Sequence, residues 1–352
     1  MFIIWWVLGL VAILWSLLAI FRAPTFLLFQ FALAATEYGN RVGTVLVMIG
    51  VGSFLCGSQA GWLLVVAAGV FFSPDWRARS YARAQHLDFY LAGERPNREV
   101  KRLSVSGEEG RRAEYIFTEG TKRPLVLVVH GGGWTQGEIG ENAGFLTRLA
   151  QAGCFVASVS YGLAPAATWP SQLDDVLAGY EAVMKRREEF GIDPDRIFLL
   201  GRSAGGQIAS AFACWEGAPP LRGCICLYAP FDMLFAYEHG REDDMLRSRQ
   251  LLRQYLGGTP EEALENYRSA SAFHRIGPSS PPFLLLHGTR DELVWIWQSR
   301  RLAERAREVG ARCTFHEFPW ATHAFDYRAY GPGSRVALAA IRDFITAQTV
   351  PG

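Results

Sequence analysis

The sequence predicts an α/β protein, a mostly parallel sheet clothed by helices, with an apolar helical region ahead of it. Three observations carry this. Short aliphatic runs at 125–129, 154–159, 197–200, 223–228 and 283–286 have the composition of strands covered on both faces. Segments of helical periodicity lie between most of them, the alternation that gives parallel pairing. Residues 1–72 carry very little charge, whereas the remainder has an ordinary globular composition.

At 352 residues the chain is long enough for one large domain and an appendage. A formal net charge of +1 gives no basis for a nucleic-acid partner. The six cysteines are scattered, with no C-x-x-C or zinc spacing, so buried free thiols are expected and neither a metal nor a cofactor is implied. Cys224 and Cys226 alternate within a strand and make a poor disulfide pair.

Residues 2–21 are twenty positions without a charge, enough to span a hydrocarbon core as a helix. The start lacks the positive charge and small-residue cleavage site of a signal peptide. A second apolar run covers 24–36, and a third covers 44–72, interrupted by Gly57-Ser58-Gln59. Three transmembrane spans are expected, at 3–21, 24–40 and 44–72. Two spans with an interfacial middle segment, or a hydrophobic bundle packed on the rest of the chain, are the alternatives. Arg77, Arg79 and Arg83 follow the last run and would place the catalytic part on the cytoplasmic side. The expected layout is a membrane region over 1–75, a linker over 76–99 and a catalytic domain over 100–350, with the bilayer as a partner.

In chain order, 82–91 reads as an amphipathic linker or first helix. Residues 100–105 and 113–117 alternate like an antiparallel entry hairpin around the turn-rich 107–110. The strand at 125–129 ends in His130-Gly131-Gly132-Gly133-Trp134. Three glycines in a row cost ordering entropy unless the backbone has a task, here N–H groups of Gly132 and Gly133 aimed at an oxyanion. His130, with Gly131 and Trp134, then supports the loop rather than acting as base. Helices are expected at 142–152 and 171–190, closed by Gly153 and Gly191. The strand at 197–200 runs into Gly201-Arg202-Ser203-Ala204-Gly205 and a small-residue helix. Glycines around a serine between strand and helix make the sharp turn that exposes a nucleophile, and the helix N-terminus offers the Ala204 N–H to developing charge. After 223–228 a long insertion over 232–282 interrupts the rhythm, with polar helices near 242–256 and 260–267; it reads as a lid or as a surface excursion. The strand at 283–286, a helix at 297–309, a strand at 312–318 and a helix at 334–347 complete the chain.

A serine nucleophile needs a base, and the base needs a carboxylate to hold its tautomer. Asp291 follows the strand at 283–286 and His323 follows the strand at 312–318. Both should therefore emerge at the carboxyl edge of the sheet, as Ser203 does. The order Ser203, Asp291, His323 is the one this kind of fold uses. His287 is better placed to order its loop.

The segments His130 to Trp134, Tyr161-Gly162-Leu163-Ala164-Pro165 with Trp169-Pro170 and Asp174-Asp175-Val176, Gly201 to Gly206, His287 to Asp291, and His323-Ala324-Phe325 resemble the α/β-hydrolase superfamily, in its hormone-sensitive-lipase-like carboxylesterase branch. The resemblance covers roughly 100–350. It implies an α/β-hydrolase fold and a serine hydrolase cleaving carboxylic esters through an acyl-enzyme, here membrane-anchored and acting on lipophilic substrates. Arg202 stands where that branch often has an acid, which leaves kinship with prenylcysteine-methylesterase-like and formamidase-like members open. The same residues would serve an amidase or peptidase, which an ester-against-amide panel separates. A non-catalytic binding module would keep its function after loss of Ser203.

Overall fold

The computed structural model describes residues 2–89, 98–106 and 111–348; the turn expected at 107–110 and part of the 76–99 linker lie outside them. The chain forms two compact units. One comprises Met1–Gly93, Gly288–Glu292 and Glu317–Ala339, the other Glu94–His287, Leu293–His316 and Ala340–Gly352.

The first unit begins with four helices, α1 (Phe2–Leu17), α2 (Phe26–Glu37), α3 (Gly39–Leu55) and α4 (Gly61–Ala84). Thr25 caps α2 by accepting a hydrogen bond from the Leu28 N–H at 3.3 Å, satisfying one of the free donors of a helix start. Ala12 of α1 packs with Leu64 and Ala67 of α4. Ala19 and Ala35 pack on Phe71, whose ring also takes Trp15 edge-on at 5.2 Å.

The three expected membrane spans are not there: among the described residues no helix is long and apolar enough to cross a membrane. The physical reason is length and interruption. At 16 residues, α1 reaches about 24 Å against a hydrocarbon core of about 30 Å. The 44–72 run is not one helix, because the chain leaves α3 after Leu55 and turns back through Gly57 at φ +77°. The second half of α4 carries Pro74, Asp75, Arg77, Arg79 and Arg83. The apolar composition goes into packing between short helices and into outward side chains such as Ile3, Leu14 and Leu55. The bilayer partnership and the integral-membrane, cytoplasm-facing arrangement fall with the spans.

Glu37 closes α2 with both carboxylate oxygens buried. Burial pushes its pKa well above the ordinary carboxylate value; Arg328 opposes this, while Asp326 and Asp75 add to it. The folded state therefore holds a proton that the unfolded chain releases. The stability this contributes is complete below the unfolded pKa and is lost as pH rises through the folded one. Glu37→Gln should accordingly raise the Tm at pH 8, with the gain shrinking toward pH 4. Thermal unfolding of both proteins at the two pH values checks this, and an equal difference at both would refute it.

The second unit is built on an eight-stranded sheet in the order β1-β2-β4-β3-β5-β6-β7-β8. Its strands are β1 (Lys101–Ser106), β2 (Arg112–Phe117), β3 (Arg123–Val129), β4 (Phe155–Val159), β5 (Ile192–Arg202), β6 (Gly223–Leu227), β7 (Phe283–Gly288) and β8 (Cys313–Phe318); the last residues of β7 and β8 run on into the first unit. β1, β2 and β4 pair antiparallel, as the alternating entry segments require. The pairs β4–β3, β3–β5, β5–β6 and β6–β7 are parallel. Every residue of β3, β4 and β6 is buried, which explains their largely apolar composition. The connecting helices are α5 (Ala143–Gln151), α6 (Ser171–Lys185) and α7 (Ala204–Ala213). The insertion folds as α8 (Met233–His239), α9 (Ser248–Leu256), α10 (Leu264–Ser269) and α11 (Ala272–Arg275), followed after β7 by α12 (Trp297–Glu308) and after β8 by α13 (Pro332–Ala347). Leu252, Tyr255, Leu256 and Tyr267 of the insertion are buried within the main core, so it is an integral layer of the unit. Cys224 and Cys226 place their sulfurs 3.6 Å apart and remain thiols.

Candidate active site

The parallel strand β5 delivers the chain to Ser203 in a conformation that few residues adopt, φ +49° and ψ −123°. Such a backbone stores on the order of 1–3 kcal/mol and persists only where its surroundings impose it. They do so here. The Ser203 N–H donates to the Leu227 carbonyl of β6 at 3.0 Å, and the Ser203 carbonyl accepts from the Gly206 and Gln207 N–H groups at 2.9 and 3.1 Å. Ser203 is the N-cap of α7 and Ala204 its first residue, so the Ala204 N–H belongs to the turn that has no intrahelical acceptor.

The glycine loop passes directly beside this turn. A Cβ at Gly131 would lie 3.6 Å from the Ser203 Cβ and 3.3 Å from the Arg202 carbonyl oxygen. Gly132 sits at φ +111° and Gly133 at φ +57°, left-handed conformations that glycine adopts without a steric penalty. The Gly132 carbonyl is tied by the N–H groups of Thr135 and Gln136 at 3.3 and 3.1 Å.

Two further layers hold the loop. His130 stacks on Tyr161 with ring centroids 4.2 Å apart, and Tyr161 Oη donates to the carbonyls of His130 and Gly131 at 3.2 and 3.3 Å. His130 Nδ1 lies 2.8 Å from the Gly131 carbonyl oxygen, a contact in which the ring nitrogen donates. Burial lowers the His130 pKa, with the Arg202 charge adding to it, so the ring is a neutral support. Trp134 stacks on Tyr255 of α9 at 4.7 Å. The Trp134 indole and the Tyr255 hydroxyl both donate to Gln207 Oε1, at 2.8 and 2.9 Å, while Gln207 Nε2 donates to the Ala270 carbonyl at 2.8 Å. Gln207 thus joins the glycine loop, α7 and the insertion. Reading the sequence missed Gln207 and Tyr255. The available signal was a glutamine four residues after the serine in an otherwise small and apolar helix. Arg202 is buried with its guanidinium 5.3 Å from the Phe145 ring centre, which accommodates its charge beside Ser203.

Asp291 and His323 belong to the first unit. They are 32 residues apart in sequence and meet there: His323 Nδ1 lies 2.7 Å from Asp291 Oδ2, with both residues buried. An ionised carboxylate only accepts, so Nδ1 carries the proton and Nε2 is left as the basic nitrogen. The loops bearing them are laced together by backbone bonds, Thr289 N–H to the Phe318 carbonyl at 3.0 Å and Arg290 N–H to the Ala321 carbonyl at 3.1 Å. His287, in the second unit, has both ring nitrogens occupied, by the Ser299 hydroxyl at 2.7 Å and the Val294 carbonyl at 3.0 Å, and so serves to order its loop.

Several known proteins are similar to this chain. The Mycobacterium tuberculosis protein named probable carboxylic ester hydrolase LipM is 28% identical over 269 residues, 74% of this chain and 57% of that one. The Arabidopsis thaliana protein named probable isoprenylcysteine alpha-carbonyl methylesterase ICMEL1 is 25% identical over 249 residues, 64% of this chain and 51% of its own length. The chain thus spans little more than half the length of these curated relatives. The crystal structure of EstE1, a thermostable carboxylesterase cloned from a metagenomic library, superposes with a TM-score of 0.62 at 25% identity, covering 79% of this chain and 97% of that one. The sequence pattern of the α/β hydrolase fold is matched over residues 126–327. With more than half of its length in that match, the chain belongs to the α/β hydrolase fold family.

Proposed function

We propose that this protein is a serine hydrolase that cleaves carboxylic esters through an acyl-enzyme. The observation that carries the reading is the strained Ser203 turn, held at the start of α7 beside Gly131 of the glycine loop. Strain of this kind is retained where a hydroxyl must stand clear of the sheet beside N–H donors. In the reaction Ser203 Oγ attacks the acyl carbonyl while His323, oriented by Asp291, takes its proton. The N–H groups of Gly132, Gly133 and Ala204 stabilise the oxyanion, each donor contributing on the order of 3 kcal/mol. His323 then protonates the leaving alcohol, and water attacking the acyl-enzyme by the same route releases the acid and restores Ser203. The ester class is supported by relatives that carry ester-hydrolase names.

The test is a fluorophosphonate probe together with a panel of 4-nitrophenyl esters of rising acyl length, a prenylcysteine methyl ester and a matched anilide. A single adduct on the 203-containing peptide, with ester turnover well above anilide turnover, is the expected result. No adduct and no turnover of any ester would remove the proposal, and anilide turnover equal to ester turnover would move it to the amidases.

A further inference from the structure

We infer that Arg290 and the Leu18, Ala19, Phe21 and Ala23 backbone form a positioning clamp for the catalytic acid, so that the N-terminal helices are a working part of the catalytic apparatus. The inference rests on the roles given above to Asp291 and His323. All the residues involved lie in the first unit.

Three of the residues around Asp291 are fastened to one short piece of chain at the end of α1. Arg290 Nη1 donates to the Ala19 carbonyl at 2.8 Å, and Nη2 donates to the carbonyls of Leu18, at 2.7 Å, and Phe21. Arg22 Nη2 donates back to the Thr289 carbonyl at 2.7 Å, and the Ala23 N–H donates to Glu292 Oε1 at 3.0 Å. Asp291 itself is turned the other way, to His323.

The same guanidinium reaches the His323 loop, donating from Nη1 to the Trp320 carbonyl at 3.3 Å. Arg290 therefore joins three segments that are far apart in sequence. The carbonyls at a helix C-terminus have no partner of their own and carry partial negative charge, so a buried cation suits them. Arginine is the side chain that can serve several such acceptors from one plane. Arg290 is 5% exposed, and burial lowers its pKa to about 10, so it stays charged at neutral pH.

The loop's backbone bonds to Phe318 and Ala321 hold it to the His323 loop; the clamp holds it to the chain after α1 as well. Without it, Asp291 keeps its sequence neighbours but loses a fixed distance to His323. A misplacement of about 1 Å in a catalytic group can cost roughly 100-fold. Because Arg290 touches neither substrate nor reacting atoms, the loss should fall on kcat and leave KM alone.

The experiment compares Arg290→Gln, Arg290→Lys and Arg22→Ala in the full chain, each alone and with Asp291→Asn. Rates are normalised to folded protein by circular dichroism. Arg290→Gln should lower kcat roughly 30-fold or more with KM within about twofold, Arg290→Lys should recover part of this, and Arg22→Ala should cost less than about threefold. In the Asp291→Asn background the Arg290→Gln penalty should largely disappear, since the group it positions is gone. A readout independent of turnover is the far-downfield proton resonance of the His323–Asp291 hydrogen bond, present in the parent and broadened or lost in Arg290→Gln. An unchanged kcat, a full penalty persisting with Asp291→Asn, or an unaltered downfield proton would each overturn the clamp. Should Arg290→Gln not fold, Arg290→Lys carries the same kcat and proton readouts. A parent with that proton and no ester turnover would remove the proposed function and leave the clamp standing.

Discussion

Ser203→Ala is expected to reduce kcat for the best ester substrate by a factor on the order of 10⁴–10⁶, leaving KM and the circular dichroism spectrum unchanged. The size follows from removing the atom that forms the covalent intermediate. The residual rate reflects what the oxyanion donors and substrate binding achieve with water alone. A second substitution at the same position separates chemistry from strain. At φ +49° and ψ −123° alanine is as strained as serine, whereas glycine is not. Ser203→Gly should therefore be equally inactive but more stable than Ser203→Ala by about 1 kcal/mol. Steady-state kinetics and thermal unfolding of the three proteins measure both effects. Retention of more than about 1% of kcat in Ser203→Ala would mean that another nucleophile operates.

That strain could not be seen in the sequence, although the serine could. A serine between glycines at a strand–helix junction is a local pattern, and so are the positions of Asp291 and His323 just past two strands. Local patterns survive in a one-dimensional reading. The parallel strands were legible for the same reason, since strands buried on both faces leave unbroken apolar runs such as Leu125–Val129.

The N-terminal helices were misread because hydropathy averages over residues and does not report where a helix ends. Gly57 turns the chain, and Glu37 is buried among side chains drawn from positions near 75 and 326. No window of twenty residues contains that information. Gln207 and Arg290 escaped notice on similar grounds. Each looks like an ordinary polar residue until the Trp134, Tyr255 and Ala270 partners of the one, or the Leu18 to Phe21 carbonyls of the other, are brought to it from elsewhere in the chain.

Gly205→Ala should be strongly damaging for a change of a single methyl group, through packing rather than chemistry. The Gly205 Cα is pressed against the end of β3, and an added Cβ would overlap the carbonyl oxygens of both Val129 and His130. Those atoms are backbone and cannot rotate aside, so α7 must lift from the sheet or the 130–134 loop must shift. The first carries Ser203 away from the Leu227 carbonyl that holds its N–H; the second moves Gly132 and Gly133. Overpacking a tight site costs about 1–3 kcal/mol, and more where only backbone can yield. We expect a loss of roughly 3 kcal/mol in urea-induced unfolding and a fall in kcat of about 100-fold or more in the fraction that stays folded. Gly52→Ala is the matched control, because a Cβ there has nothing within 4 Å and lies inside α3. It should leave kcat untouched and stabilise by about 0.5–1 kcal/mol. If Gly205→Ala matched the control in both measurements, the close approach of α7 to β3 would not be what holds the nucleophile turn beside the glycine loop.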